Sequence, residues 1–569
     1  MFEKILNDAN KKWENLNSSN NIWVRVSYGA SGQASGADKV FEKLNFLASS
    51  QKNVFVSLVG SMGLSYAEPL VDITFKNGIR IFYNNVDVNT AEYIFNSHVK
   101  DNEINNKYVF GQIAPAHVDP INGVVQIDKE KPLMLTKKIA TANCGNISPT
   151  DIYQYIANDG YSALERALTE LDPDKTLNLV KDAGLRGRGG AAFSTGVKWS
   201  FLANNPSKEK YVLCNCEEGD PGAFNDKGIL ENDPHMLLEG LILCGYATRS
   251  SNGHIFIRDG HEIPIENSRR AIEEAYDLNL LGENILGTGF NFDVEVSLTG
   301  DSYVAGEETA LMEAIEGKRS MPRFKPPFPA VSGLWGKPSN INNVKTLSYV
   351  PYIVKNGSEN YKNIGSETSS GTAIVCLSGH IKRPGMYEIE MGMTINDLLE
   401  NIGGGSSTSH DIKLLQTGGP LGGVLGSDEF DVKIDFDDMA KAGAILGSGG
   451  IIVGDETTDV VDLVRNLVAF NQFESCGKCF PCRLGNTHML DILNRICNSR
   501  PNEKDMEVIE KIGNSMKTGS LCGHGQLGYN PVSSAVKYFK DEFDSALNAN
   551  HPSDDTKIDN MILPTRTRP

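Results

Sequence analysis

Apolar and polar positions alternate with a period of two in IWVRVSY, VFVSLVG, LVDITF and IRIFYN, and this predicts strands. Between them ADKVFEKLNFLA and TAEYIFNSHV repeat at helical spacing, and GASGQASG and SMGLSYAEP read as loops. The pattern predicts a small α/β sandwich over 1–125, preceded by a polar helix or arm at 1–20. A stretch with scattered Pro and Gly at 126–140 reads as a linker. Ser148–Pro149 predicts a helix start. Asp172–Pro173 reads as an N-cap and first helical residue, with Leu177 and Val180 on one face and Gly184 as the stop. The strand YVLCN, a helix capped by Asp233–Pro234, the strand VEVSLT and a helix opened by Gly306-Glu307-Glu308-Thr309 make 141–365 an α/β domain. After polar Gly365–Ser370, strands AIVCLSG and GGIIVGD bracket a compact module at 366–455, whose glycines read as turns and bulges. VVDLVRNLVAFNQFE begins a helical domain at 456–547, and 548–569 reads as an extended tail.

Composition narrows the function classes. A chain of 569 residues holds about three or four domains, and 40% hydrophobic content suffices for several cores. A formal charge of −18 argues against a nucleic-acid partner. No apolar run approaches a membrane span, and the start MFEKILNDANKKW lacks a signal-peptide core, so a cytoplasmic location is expected. Ten cysteines cluster late in the chain, and that clustering points to metal rather than to a disulfide framework.

The chemistry concentrates in GLRGRGGAAFSTGVKWSF, residues 184–201. Gly184, Gly187, Gly189 and Gly190 are interleaved with Arg186 and Arg188. Glycines let successive N–H groups line one concavity, an anion nest, and the arginines with Lys198 add positive charge for a phosphate. Phe193 and Phe201 offer flat apolar faces for an aromatic ring. A glycine-rich loop is also what a surface turn looks like; this one is long, basic and aromatic, and it lacks the Gly-Lys-Ser/Thr end of a P-loop. Cys476, Cys479 and Cys482 form C-x2-C-x2-C, and Cys522 follows in GSLCGHG. Three close thiolates plus a distant one suit a 4Fe–4S cluster; zinc would more usually show paired C-x2-C knuckles. His524 then falls outside the ligand set or on the surface. Cys144, Cys244 and Cys497 read as packing thiols.

These stretches resemble the FMN- and NADH-binding flavoprotein subunit of respiratory complex I, and its counterparts in NAD-dependent and electron-bifurcating hydrogenases and formate dehydrogenases. The resemblance covers roughly residues 20–545 and is densest over 141–350 and 456–545. Ala192 and Ser194 depart from the family's Gly-Phe-Pro, and Asp220 stands where Glu is usual. It implies a multidomain α/β fold: a degenerate thioredoxin-like domain, a Rossmann-like α/β FMN domain, a β-grasp-like domain similar to the soluble-ligand-binding type, and a helical bundle carrying the 4Fe–4S cluster. In hydrogenase-type relatives the first domain holds a 2Fe–2S cluster on four cysteines. Here Ser27, Gly32, Ser61 and Ser65 align with those positions and are not such ligands, so no 2Fe–2S cluster is expected there.

By match, Gly187, Arg188, Gly189, Gly190, Lys198, Asn215, Glu217, Tyr303, Gly306, Glu307, Asn342, Asn343 and Thr346 are implied to surround FMN. Phe193, Phe201, Asp220, Glu308, Lys325 and Phe328 are implied to bind NAD(H) or NADP(H). Implied partners are a small 2Fe–2S thioredoxin-like subunit and a larger iron–sulfur or catalytic subunit, with ferredoxin a further candidate. The fused first domain and the Asn-Cys-Gly lead-in at 143–145 favour a soluble hydrogenase, formate dehydrogenase or transhydrogenase type over a true complex I subunit. A redox-inactive scaffold is the alternative from another class, and the intact loop and four cysteines argue against it.

Overall fold

A computed structural model describes residues 1–548 apart from 75, 76, 105, 106 and 301. The tail expected at 548–569 falls outside the described residues from 549 onward.

The first unit is a mixed sheet, β1 (Ile22–Tyr28), β2 (Val54–Gly60), β3 (Val71–Thr74), β4 (Arg80–Tyr83) and β5 (Val109–Ile113), in the order β2-β1-β3-β4-β5. β1 and β2 run parallel, paired from Ile22↔Val54 to Tyr28↔Gly60, and the remaining pairs are antiparallel. Val24, Val26, Ile73 and Ile81 meet Val40 and Leu44 of the Ala37–Ala48 helix in one core. The first expected loop contains a short helix, Ala30–Ala34. The expected arm is the helix Phe2–Leu16, whose Phe2 and Ala9 belong to the second unit's core.

The second unit is a parallel sheet, β6 (Tyr211–Cys216), β7 (Asn252–Arg258), β8 (Asp293–Thr299) and β9 (Ser339–Asn343), in the order β8-β7-β6-β9. Val212, Leu213 and Cys214 are fully buried on successive positions, because helices cover both faces of a parallel sheet. Asp172 caps the Pro173–Asp182 helix through Lys175 N at 2.7 Å, and Gly184 leaves it with φ +69°. The helix expected from Ser148 starts at Ile152, since Asp151 takes the N-cap by accepting from Tyr153 N. β6, β7 and β9 end together at Cys216, Arg258 and Asn343, the edge where open parallel sheets bind ligands.

The third unit has β10 (Thr372–Gly379), β11 (Gly385–Glu390), β12 (Ile412–Thr417), β13 (Val424–Gly426) and β14 (Gly450–Asp455), in the order β11-β10-β14-β12-β13. β10 and β14 are parallel and the other pairs antiparallel. The stretch at 126–140 does not behave as a free linker. It carries the short helix Lys131–Met134, and beyond it Glu388 on β11 accepts from the backbone N–H groups of Ile139, Ala140 and Thr141 at 2.9, 3.2 and 2.9 Å. The fourth unit packs the helices Val460–Phe473, Phe480–Cys497, Asp505–Gly519 and Asn530–Tyr538 around Val464, Met489, Leu493 and Ile509. Cys497 is exposed rather than in the core, because Ile492, Leu493 and Ile496 take the inward face of its helix.

Candidate functional site

The glycine loop leaves its donors in two groups. Gly187 N donates to Phe193 O at 2.8 Å and Arg188 N to Thr346 Oγ1 at 2.8 Å, which closes the loop on itself and on the Val344–Ser348 helix. Among the described residues no protein acceptor takes the N–H of Gly189 or Gly190. A Cβ on Gly189 would lie 2.9 Å from Asn343 Cβ, and Gly190 has φ +113°, so both positions need glycine. Free amides on a close-approaching backbone are what a phosphate cradle requires.

The two arginines differ from expectation. Arg186 pairs with Asp437 of the third unit at 3.2 Å. Arg188 is 3% exposed and its guanidinium faces carbonyls: Nε to Thr372 O at 3.0 Å, Nη1 to Arg186 O at 2.9 Å, Nη2 to Ser370 O at 2.7 Å. It is a strut between the second and third units. No carboxylate pairs with it among the described residues, so its charge reaches the neighbouring amides as a field rather than as a contact.

Strand alternation separates the candidate asparagines. Asn342 turns under the sheet, accepting from Trp199 Nε1 at 3.2 Å and donating to Asn340 Oδ1 at 2.7 Å, so its amide belongs to the core and not to the cleft. Asn343 takes the other face. It accepts from Lys345 N at 3.0 Å, capping the next helix, and donates to Asp226 Oδ2 at 2.6 Å. Nothing in NNVKTL singles out Lys345, yet its buried Nζ reaches Asp226 Oδ1 at 2.8 Å and Asn225 Oδ1 at 2.7 Å. A lysine between two motif positions carries no periodic signal of burial; its partners lie on another helix.

The end of β6 is an acid-rich turn. Asn215 accepts from Glu217 N at 3.1 Å and donates to Gly306 O at 2.8 Å, joining this turn to the Tyr303–Thr309 segment. Glu217 pairs with Arg258 at 3.0 Å, yet burial pushes its carboxyl up to about 8. Burial also raises Asp220, which lies beside the Tyr303 and Ser448 hydroxyls with Oδ1 unpaired. Glu218 accepts from Asp226 N and Lys227 N at 2.8 and 2.9 Å and serves the fold there.

On the open side, Phe193 and Phe201 expose rings 6.5 Å apart at 35°, and Asn205 donates to Ala330 O, tying the Phe328 loop to the Thr195–Ala203 helix that bears Phe201. Glu308 lies between Lys325 at 2.7 Å and Lys198 at 3.4 Å, and these cations hold it below the usual carboxylate range against the effect of burial. Lys198 Nζ also donates to Ile341 O at 2.6 Å. Glu307 is the helix N-cap, accepting from Thr309 N and Ala310 N at 2.9 and 3.0 Å.

Cys476, Cys479, Cys482 and Cys522 line one cavity, closed on the second unit's side by Val304 and Pro322. Among the described residues no His, Cys, Asp or Glu group forms a ready-made single-ion site; the thiols border a space instead. Ser475 Oγ lies 3.3 Å and Asn486 Nδ2 3.5 Å from Cys482 Sγ, donors suited to a thiolate that would ligate iron. His524 is buried, its Nε2 against Asn471 O at 2.8 Å, so it supports the wall. Tyr303 connects the two centres. Its ring meets Phe470 at 5.3 Å and His524 at 5.6 Å, its N–H donates to Glu474 Oε2 at 3.0 Å, and its hydroxyl lies beside Asp220.

In the first unit, Ser27 Oγ and Ser61 Oγ both donate to Glu68 Oε1, at 2.8 and 2.7 Å. A buried carboxylate thus ties together the two loops expected to lack thiolates. The same loops dock on the second unit, Ala30 N donating to Glu231 Oε2 at 2.9 Å and Ser61 N to Asn232 Oδ1 at 2.6 Å.

With this geometry in place, comparison with known proteins is specific. Residues 180–352 match the Nuo51 FMN-binding domain model, 462–546 the NADH-ubiquinone oxidoreductase-F iron-sulfur binding region, and 374–425 the SLBB domain. The chain is 42% identical over 408 residues to the NADP-reducing hydrogenase subunit HndC of Solidesulfovibrio fructosivorans, covering 72% of this chain and 83% of that one. It is 40% identical over 418 residues to an NADH-quinone oxidoreductase subunit of Escherichia coli (strain K12), covering 73% and 94%. A crystal structure of an NAD+-reducing NiFe-hydrogenase in the H2-reduced state superposes with TM-score 0.66 at 25% identity, covering 94% of this chain and 85% of that one.

Proposed function

This chain belongs to the family of FMN- and NADH-binding flavoprotein subunits of NADH-quinone oxidoreductases and hydrogenases, and on that footing we propose that it exchanges hydride with NAD(P)(H) in a soluble hydrogenase-, formate dehydrogenase- or transhydrogenase-type complex. It is an oxidoreductase subunit with an FMN-binding domain and a 4Fe–4S-binding region. No helix among the described residues is long and apolar enough to cross a membrane.

Bound FMN supplies the carrier that takes two electrons with hydride and releases them singly. The rest is positioning. The Gly189 and Gly190 amides hold a phosphate, with Gly187 shaping the turn and Arg188 biasing the local potential. Asn215 and Gly306 fix the acid turn against the Tyr303–Glu307 segment, while Asn343 and Thr346 brace the loop from behind. Phe193, Phe201 and Phe328 offer faces for the nucleotide's rings. Lys198 and Lys325 orient Glu308 toward ribose hydroxyls. Cys476, Cys479, Cys482 and Cys522 would hold the cluster. The observation that carries the reading is the adjacency of free loop amides, acid turn and four-thiol cavity, joined through Tyr303.

The fold likeness to the NAD+-reducing hydrogenase extends over 94% of the chain, first unit included, and supports the hydrogenase type, while in sequence the hydrogenase and NADH-quinone oxidoreductase relatives cover 72% and 73% of the chain alike. Phe473 and Phe480 are 67% and 66% exposed beside half-buried Cys476 and Cys479, which supports a partner iron–sulfur protein docking there. The test is flavin released on denaturation and bleaching of the bound flavin by NADH under anaerobic conditions. About one FMN per chain, reducible by NADH, supports the proposal; a chain that binds no flavin overturns it. Identifying the co-purifying subunits separates the hydrogenase type from complex I.

A further inference from the structure

The third unit's glycines form more than isolated turns. A Cβ on Gly447 (φ +56°) would fall 2.5 Å from Gly418 Cα, and one on Gly419 (φ +75°) 2.4 Å from the Asp220 carboxyl. Across the seam, a Cβ on Gly190 of the nucleotide loop would lie 3.7 Å from Gly447 Cα. Asn225 Nδ2 donates to Ser448 O at 2.9 Å, and Gln416 Nε2 donates to Gly419 O, so both turns are pinned. One side of the third unit therefore touches the free-amide end of the loop and the acid turn together.

This seam is not satisfied internally. Asp220 Oδ1 and Ser448 Oγ are buried without a well-formed hydrogen bond. The N–H groups of Gly447 and Ser448, like those of Gly189 and Gly190, meet no protein acceptor among the described residues. Buried polar groups in native proteins are almost always paired, and several unpaired ones on segments that approach one another indicate a ligand that pairs them. Serine hydroxyl and backbone N–H donors suit the carbonyl and hydroxyl oxygens of a flavin and its side chain.

We propose that the turn Gly447–Ser448–Gly449 is a wall of the flavin pocket and that the Ser448 hydroxyl, left unpaired beside Asp220, donates to the flavin. The third unit then completes the FMN site, its glycines serving close approach rather than a separate soluble ligand. This rests on the reading that FMN occupies the glycine loop.

The experiment uses the full-length holoprotein and its Ser448→Ala, Ser448→Thr and Gly447→Ala variants. FMN dissociation is measured by fluorescence, and the reduced-to-oxidised flavin ratio is read at a fixed NADH:NAD+ ratio. Ser448→Ala weakens FMN binding by about threefold to tenfold, the span of one neutral hydrogen bond. It also lowers the reduced fraction, because a hydroxyl that donates to the flavin stabilises the electron density gained on reduction. Ser448→Thr restores both, and Gly447→Ala releases FMN while the cluster's absorption persists. Should Gly447→Ala fail to fold, Ser448→Ala decides alone. FMN affinity and flavin ratio in Ser448→Ala within about twofold of wild type overturn the inference, as that is less than one hydrogen bond. A wild type that binds no FMN overturns the underlying reading as well.

Discussion

Replacing Arg188 by methionine discriminates a strut from a phosphate ligand. The substitution roughly keeps volume and removes the donors to Thr372 O, Ser370 O, Arg186 O and Tyr361 Oη, at 3.0, 2.7, 2.9 and 3.3 Å. It also removes the cation lying 5.3 Å from the Phe436 ring centroid. Two carbonyls at the seam, those of Ser370 and Thr372, are left without their donor, and each costs about 1–3 kcal/mol. The sum, about 2–6 kcal/mol, falls on the docking of the third unit against the second, because β10 begins at Thr372. Seam opening should therefore rise between about 30-fold and 20,000-fold, read as hydrogen exchange of the β10 amides. Arg188→Lys keeps the charge but loses the planar fork, and it should show most of the same loosening. Unchanged β10 protection in both variants, with FMN lost only from Arg188→Met, would refute the strut and return Arg188 to the phosphate.

Two further outcomes follow from the same geometry. Cys479→Ala leaves three thiolates for a cubane that takes four, so the 4Fe–4S signal should be lost or converted while FMN stays; NADH oxidation with an artificial dye should then survive and partner reduction fail, and loss of both with FMN would show that the centres are interdependent. Glu217 has its carboxyl raised from 4.5 to about 8 by burial, so the folded state holds a proton that the unfolded state releases. Its contribution to stability is therefore complete below about 4.5 and is lost as pH rises through about 8. Glu217→Gln should flatten the fall in melting temperature over that window, and an unaltered pH profile in the variant would contradict the assignment.

Local chemistry was legible in the sequence. Gly184, Asp172 and Asp233 mark element ends because capping and positive φ are properties of a few consecutive residues. The spacing of Cys476, Cys479, Cys482 and Cys522 named the thiols that share a cavity, and the alternating runs named most strands. Direction and partnership were not legible. Arg188 and Asn342 sit in motifs that suggest ligand contact, yet a buried seam and the alternation of β9 turn their side chains into the protein. Lys345, Asp226 and Glu68 matter through partners far away in the chain or on the facing loop, which no short window contains. The third unit's turn reaches the cleft only because two separately folded sheets pack edge to loop, with glycine where the backbones meet. Sequence thus determined which chemistry the chain carries. Tertiary packing decided which groups remain free to perform it, because each hydrogen-bond donor or charge that the fold satisfies internally is withdrawn from the ligand.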